Sequence, residues 1–382
     1  MNEDFLNHVL GAAPAVKDML LDHSKVGWWR DRVEAWDRGE KIAPITMDVA
    51  WTRRCQAACH FCAAQAQASD SDGGEITKEI AWHFLEDAAE IGVKGISLIS
   101  DGESSMVPYY VESIAYGASL GIKMGVGTNG IIFNREMLEA VLPHLTYFRV
   151  NFSAGDKKRY AEIMGVKQAI YDRVLGNLQA AMEIKRRDNL AVNINMNLVS
   201  EPRDADQLLP FAKLVAALKV DYGIIKHCAV DPDKIVYVDY KDYEPLYGIF
   251  RECEALSTDT TRVVVKWNRI KNEGKREYNK CYGTPFLLQM SGNGLIAPCG
   301  PLFNEKYKAL HIGNITKTRF KDIFASDRYW EVIKYLGSED FNPQERCLIN
   351  CVQHLTNDWL FKYKAGQVTF PITPVPIHSE FI

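Results

Sequence analysis

Six short apolar runs, each followed by an amphipathic helical pattern, constrain the fold of this chain more than any other feature. The runs are ITMDVAW from Ile45, GISLIS from Gly95, KMGVGTN from Lys123, YFRVNFS from Tyr147, VNINMNLV from Val192 and YGIIKHC from Tyr222. Between them apolar residues recur at helical intervals, as at Ile76, Ile80, Phe84, Leu85 and Ala88, and again at Ile170, Val174, Leu178 and Ala181. Strand-then-helix units in succession imply a parallel sheet with helices outside, because parallel neighbours need crossover connections. Periodicity alone leaves open whether the sheet curls into a partial barrel or stays open and doubly wound.

The first run leads into RRCQAACHFC, where Cys55, Cys59 and Cys62 are spaced Cys-x3-Cys-x2-Cys on one tight loop. Thiolates select zinc or an iron–sulfur cluster. A structural zinc ion takes four protein ligands, and His60, lodged between two of the cysteines, is poorly placed to be the fourth. A cubane cluster is held by three cysteines with one iron left open.

A second constellation lies further on. FLLQMSGNGLIAPC reads as a β-hairpin with GNG as its turn, which returns Cys299 to the side of Cys281, and Cys347 and Cys351 follow at Cys-x3-Cys spacing. Four converging thiolates suit a fully ligated metal site, with structural zinc as the alternative occupant. The chain has nine cysteines, so three and four leave only Cys228 and Cys253, too few for another cubane. An odd cysteine count does not look like a secreted disulfide framework. The acidic start MNEDFLNHVL is unlike a secretory signal, and no apolar run approaches membrane-spanning length, so a cytoplasmic protein without a membrane partner is expected. A formal charge of −4 and a pI near 6.2 give no bulk attraction to polyanions, which argues against nucleic acid as a partner.

The Cys55 loop, with the aromatic Phe61 directly before its last cysteine, resembles the signature of the radical S-adenosylmethionine (SAM) superfamily. The resemblance implies a [4Fe–4S] cluster on Cys55, Cys59 and Cys62, SAM on the open iron, and Phe61 beside the nucleoside. It favours a partial (β/α)6 TIM barrel over residues 45–260, behind a helical preface over residues 1–44, with the active site at the carboxyl ends of the strands. Asp101-Gly102-Glu103 after the second strand is similar to the family's Gly-Gly-Glu motif. Glu103 would accept from the SAM ammonium, while Asp101 in place of the usual first glycine changes the local turn. The GTNG turn after the third strand offers Thr128 or Asn129 to the cofactor, and Ser153 ends the fourth strand where relatives contact SAM. Residues 261–382 resemble the SPASM/twitch cluster domain, a small α+β unit. That likeness implies one auxiliary [4Fe–4S] cluster on Cys281, Cys299, Cys347 and Cys351. A flavodoxin or ferredoxin-type protein is the implied electron donor.

Asn193, Asn195 and Asn197 alternate with Ile194, Met196 and Leu198, so three amides share one face of the fifth strand. Buried amides need partners, and amides converging inside an apolar barrel suit a small-molecule site, which makes Asn195 and Asn197 candidate contacts. Arg149 in the fourth strand is either buried or paired with a carboxylate. Lys226, His227 and Cys228 at the end of the sixth strand are candidate catalytic residues, Lys226 or His227 as substrate contacts and Cys228 as a hydrogen donor. The function expected is hydrogen abstraction from a polar small molecule, such as a sugar, aminocyclitol or nucleoside, in dehydrogenation or epimerisation. Modification of a ribosomal peptide is the alternative within the superfamily, and a non-catalytic zinc or iron–sulfur protein is the alternative outside it. In the preface, apolar positions from Phe5 to Leu20 and then Trp28, Trp29, Val33 and Trp36 suggest packed helices, and the proline-bearing tail FPITPVPIHSEFI is expected to lie along the barrel or a partner.

Overall fold

The computed structural model describes residues 24–65, 67, 74–230, 235–271, 275–347 and 351–382; the preface pattern from Phe5 to Leu20 lies outside them. All six apolar runs form strands: β1 (Thr46–Val49), β2 (Gly95–Leu98), β3 (Lys123–Thr128), β4 (Leu145–Asn151), β5 (Asn193–Ser200) and β6 (Tyr222–His227). They pair in chain order, every neighbour parallel. Beyond β6 the sheet gains β7 (Arg262–Val265), again parallel. On its other side β1 pairs in parallel with β8 (Leu287–Met290), which turns back as the antiparallel β9 (Leu295–Ala297) beside β10 (Gly313–Asn314). The result is one ten-stranded sheet with β7 and β10 at its two edges, an open partial barrel with a cluster-domain hairpin continuing it.

Register decides which side chains meet. Along the parallel strands Met47, Val49, Ile96, Leu98, Phe148, Ile194 and Met196 turn one way, into the main core beneath the helices, and each is at most 2% exposed. Burial of such side chains is worth roughly 1.5–3 kcal/mol each, and it holds the helices on the sheet. Those helices have local signals at their ends. Lys78–Ile91 starts at Thr77, whose side chain accepts from the Ile80 amide, and stops at Gly92 in the left-handed region.

The opposite face of the sheet, inside the barrel, is polar. In register stand Asp48, Ser97, Gly125, Tyr147 and Asn193; then Gly127, Arg149, Asn195 and Tyr222; then Asn151, Asn197 and Ile224; then Val199 and Lys226. Two glycines on β3 make room for this row. A Cβ at Gly125 would lie 2.3 Å from the Tyr147 ring, and one at Gly127 would lie 3.2 Å from the Arg149 guanidinium and 2.5 Å from Ile99.

The tail closes the amino-terminal end of the barrel. Thr46 Oγ1 donates to the Glu380 carbonyl (2.7 Å) and accepts from the Ile382 amide (3.1 Å). Phe381 packs edge-on against Tyr147 at 5.0 Å, and the His378 ring meets Asn193. The described part of the preface backs this closure: Lys25 Nζ donates to the Phe381 carbonyl (2.9 Å) and Trp29 Nε1 to that of Ser379 (2.9 Å). Val33, Trp36, Phe286, Trp359 and Leu360 form a second, smaller core there. The expected packing of the preface tryptophans and the expected course of the tail along the barrel are both seen. The cluster domain is tied to the barrel by Arg319, whose guanidinium makes two bonds to the fully buried Asp87 (2.6 and 2.9 Å), and by Phe320 against Phe84. No helix among the described residues is long and apolar enough to cross a membrane.

Removing residues 378–382 is expected to lower the melting temperature by several degrees, through loss of the Phe381 contact and the Thr46 bonds. Iron content should not change, because the cysteines lie at the other end of the strands. Joint loss of iron and stability in the truncated protein would show that the tail does more than close the barrel.

Candidate active site

The Cys55–Cys62 loop leaves the carboxyl end of β1 and is held on three sides. The Ala58 and His60 amides donate to the carbonyls of Met164 and Ile163 (3.1 and 3.3 Å), at the end of the helix Lys157–Met164. Gly165 ends that helix at φ +62, and a Cβ there would lie 2.4 Å from the Ala58 carbonyl oxygen, so only glycine allows the loop to settle. His60 Nε2 lies 2.9 Å from Asp204 and 3.4 Å from Glu201, carboxylates also engaged by Arg159 and Arg203. His60 therefore anchors the loop and is turned away from the cysteines' ligand role. On the third side Asn129 Nδ2 donates to Cys55 Sγ at 3.6 Å, its Oδ1 accepts from Gln56, and the Glu103 amide donates to the Arg54 carbonyl (2.8 Å).

The three thiols fit a cluster. Burial pushes Cys59 up to about 12, with Cys62 and Cys55 adding to it, and raises Cys55 and Cys62 as well, so thiolates here need a cation to stabilise them. Among the described residues neither cysteine set draws three sulfurs within 4.8 Å of one another, as ligands of a single zinc ion would be. Phe61 is buried, edge-on to His60.

Glu103 is 4% exposed and stands next to this loop. Its Oε1 accepts from Ser105 Oγ (2.7 Å) and Thr128 Oγ1 (2.8 Å), and its Oε2 from the Asn129 amide (2.8 Å). Burial raises its carboxyl above the usual range, these bonds oppose that, and no cation neutralises it among the described residues. A buried, oriented carboxylate lacking a positive partner is complementary to an ammonium group. Asn129 is thus bound to both the carboxylate and the cluster loop. Ser153 at the top of β4 accepts from the Val199 amide (3.2 Å), joining β4 to β5.

Asp101 explains the departure from two glycines. Its carboxylate accepts from Ser291 Oγ (2.6 Å) and the Gly292 amide (2.8 Å), in the turn between β8 and β9, and lies 3.4 Å from Arg53 Nε. The tight turn rests on Gly102 instead, at φ +74, where a Cβ would lie 2.2 Å from the Thr52 carbonyl oxygen. Sequence reasoning missed this link, since only folding brings residue 101 to residue 291.

The β8–β9 hairpin has the expected GNG turn, with Gly294 at φ +83. Each of Cys299, Cys347 and Cys351 is raised first by burial and also by the charge of neighbouring cysteines, Cys281 among them in every case, so the four lie close enough to feel one another. Asn357 and Gln353 of the C-terminal segment support the Cys281 turn: Asn357 Oδ1 accepts from the Tyr282 and Gly283 amides, and its Nδ2 donates to Cys281 Sγ at 3.7 Å. Cys228 and Cys253 are fully buried elsewhere in the main core.

The three residues ending β6 do not share a face. Lys226 points inside the barrel with Arg149, Asn195 and Asn197, whereas His227 stands in register with Ser200 on the other face, near the Tyr240 ring. Cys228 packs against Glu201, at 3.7 Å, and burial raises its thiol. Asn197 Nδ2 donates to Asn151 Oδ1 (3.0 Å), while Asn195 Oδ1 is buried without a partner. Among the described residues Arg149 makes no ion pair with a carboxylate; its ring neighbour is Tyr147, at 5.8 Å. Burial, then the charges of Arg149 and Arg269, push Lys226 down to about 7. Arg269 and Asp48 escaped the sequence reading. The available signal was the alternation that puts Asp48, Arg149 and Lys226 at every-other positions of strands already recognised.

A family model described as the radical SAM superfamily matches residues 49–208, and one described as an iron–sulfur cluster-binding domain matches residues 281–352. The chain is 24% identical over 292 residues to the AdoMet-dependent heme synthase of Methanosarcina barkeri, covering 72% of this chain and 81% of that relative. To the PqqA peptide cyclase of Methylocella silvestris it is 24% identical over 300 residues, covering 75% and 76%. The crystal structure of Streptococcus suis SuiB bound to S-adenosylmethionine superposes with a TM-score of 0.60 at 16% identity, over 80% of this chain and 72% of that one, which shows the shared fold. With both cysteine sets inside the matched segments, the chain belongs to the radical SAM superfamily, as an enzyme that binds SAM and a [4Fe–4S] cluster and carries a SPASM-type auxiliary iron–sulfur domain.

Proposed function

We propose that this enzyme takes a hydrogen atom from a polar small molecule held inside the barrel, at the carboxyl ends of β4 to β6, in a dehydrogenation or epimerisation. The observation that carries this reading is the polarity of the inner face, where Arg149, Asn195, Asn197 and Lys226 stand in a fold whose other face is apolar. When bound, the cluster on Cys55, Cys59 and Cys62 together with SAM supplies the 5′-deoxyadenosyl radical. The protein's part is placement. Glu103 receives the SAM ammonium, Asn129 fixes the distance between that carboxylate and the cluster loop, and Phe61 packs by the nucleoside. Of the strand-end residues Lys226 is the one that contacts substrate, because it alone shares the inner face with the amides. Ser153, whose oxygen accepts from the Val199 amide, contacts SAM from the β4–β5 rim through its remaining O–H. An external electron donor of flavodoxin or ferredoxin type completes the system.

Peptide modification is the second reading, favoured by the likeness to a peptide cyclase. The two separate in one assay. Formation of 5′-deoxyadenosine by the reconstituted enzyme, with dithionite and SAM, should rise over its uncoupled background on adding a protease-treated, dialysable cell extract. Stimulation that protease treatment abolishes would support the peptide reading and sink the small-molecule one.

Replacing Cys55, Cys59 and Cys62 together by Ala should abolish SAM cleavage and lower bound iron from about eight to about four atoms per chain. Complete loss of iron would count against an independent auxiliary cluster. Glu103→Gln is expected to weaken SAM binding by about tenfold or more, the scale of a lost charge-assisted bond. Equilibrium binding of SAM to iron-matched preparations checks this, and unchanged affinity would remove Glu103 from the SAM site.

A further inference from the structure

Two basic side chains stand on the inner face of the barrel. Arg149 lies mid-strand on β4 and Lys226 at the carboxyl end of β6, both on the inner face, with β5 between them. Lys226 makes no side-chain hydrogen bond or ion pair among the described residues, and Arg149 Nε is buried without a hydrogen-bond partner. Arg269, on the short helix Trp267–Lys271, adds a third positive charge that Lys226 feels, and Arg269 in turn feels Arg149. The carboxylate facing Arg149 is Asp48, which accepts from Gln289 Nε2 (2.8 Å) and is itself pushed up by burial.

Crowded, desolvated like charges are unfavourable in the free protein, and side chains arranged so are a mark of a ligand site. A second observation points the same way. Asn195, in register with Arg149 and 2% exposed, has a buried Oδ1 with no partner, and an amide oxygen asks for an O–H or N–H donor. Gly127 keeps the space beside the Arg149 guanidinium clear, since any Cβ there would crowd it at 3.2 Å.

We propose that the inner face of β4 to β6 is an oxyanion receptor: a carboxylate or phosphate of the substrate is held by Arg149 and Lys226, and a hydroxyl or amine of the same molecule donates to Asn195. The guanidinium fork gives two parallel bonds to one oxyanion, and the ammonium adds a point charge. This names the class of substrate for the hydrogen abstraction proposed above and rests on that reading. The molecule would be a hydroxy or amino acid, or a phosphorylated sugar or nucleoside, rather than a neutral polyol.

The test uses the reconstituted full chain with SAM, at constant ionic strength, titrated with inorganic phosphate, with succinate and with neutral glucose while thermal unfolding is followed. Phosphate or succinate should raise the melting temperature with saturation, and glucose should not. Arg149→Gln and Lys226→Met should each raise the half-saturating concentration by about tenfold or more. Lys226→Met also removes a buried charge and is expected to keep or raise the melting temperature of the ligand-free protein, so loss of its response is not loss of folding. A response to phosphate alone supports a phosphorylated substrate, and one to succinate alone supports a carboxylate. No response to either anion, or a response unchanged in both variants, overturns the receptor. The readout is binding, so its failure leaves hydrogen abstraction standing. Conversely, Arg149-dependent anion binding by a chain that never cleaves SAM would overturn the reaction and keep the site.

Discussion

The backbone at Thr52–Arg53 is pressed between two glycines, and the rest of the site depends on that contact. A Cβ at Gly102 would lie 2.2 Å from the Thr52 carbonyl oxygen, and one at Gly292 would lie 2.1 Å from the Thr52 carbonyl carbon. Gly102 belongs to the loop that carries Glu103, and Gly292 to the hairpin that carries Cys299. The first residues of the Cys55–Cys62 loop are therefore wedged between the loop that carries Glu103 and the β8–β9 hairpin. Asp101 fastens the sandwich with bonds to Ser291 and Gly292. Parallel pairing of β8 with β1 extends the same union down the sheet, so both cysteine sets are mounted on one pair of neighbouring strands. A rigid mount of this kind sets the spacing of reacting groups before any ligand arrives.

The two faces of the sheet differ. Met47, Ile96, Phe148 and Ile194 supply an apolar face under the helices, whereas the inner face carries Asp48, Arg149 and Lys226. At the far end the tail and preface seal the barrel with Phe381, Trp29 and Lys25. Asn193 belongs to that seal through His378, while Asn195 and Asn197 on the same strand lie towards the cysteines. One run of alternating amides thus serves the closed end and the working end of the barrel.

Much of this was legible in local pattern. The six strands appear where β-rich apolar runs predicted them, the hairpin turns at GNG, and the cysteine spacings marked two thiol-rich candidate metal sites, because ligand spacing and strand period are properties of neighbouring residues. The alternation of Asn193, Asn195 and Asn197 gave the shared face but not which face. That required the register with Arg149 and Lys226 on adjacent strands. Lys226, His227 and Cys228 looked equivalent as a strand end, yet the pleat and the loop after β6 send them to different surroundings.

By itself the sequence determined the order of β/α units and the spacing of the two cysteine sets, since those follow from periodicity over short stretches, while the iron–sulfur chemistry rests on the family likeness. Only the tertiary structure decided that Asp101 grips the turn at Ser291, that the tail stoppers the barrel, and that Arg149 and Lys226 share one inner face with Asn195 and Asn197. Each of these joins residues far apart in the chain, and their proximity is fixed by sheet order and the closing of the barrel, which no local pattern encodes.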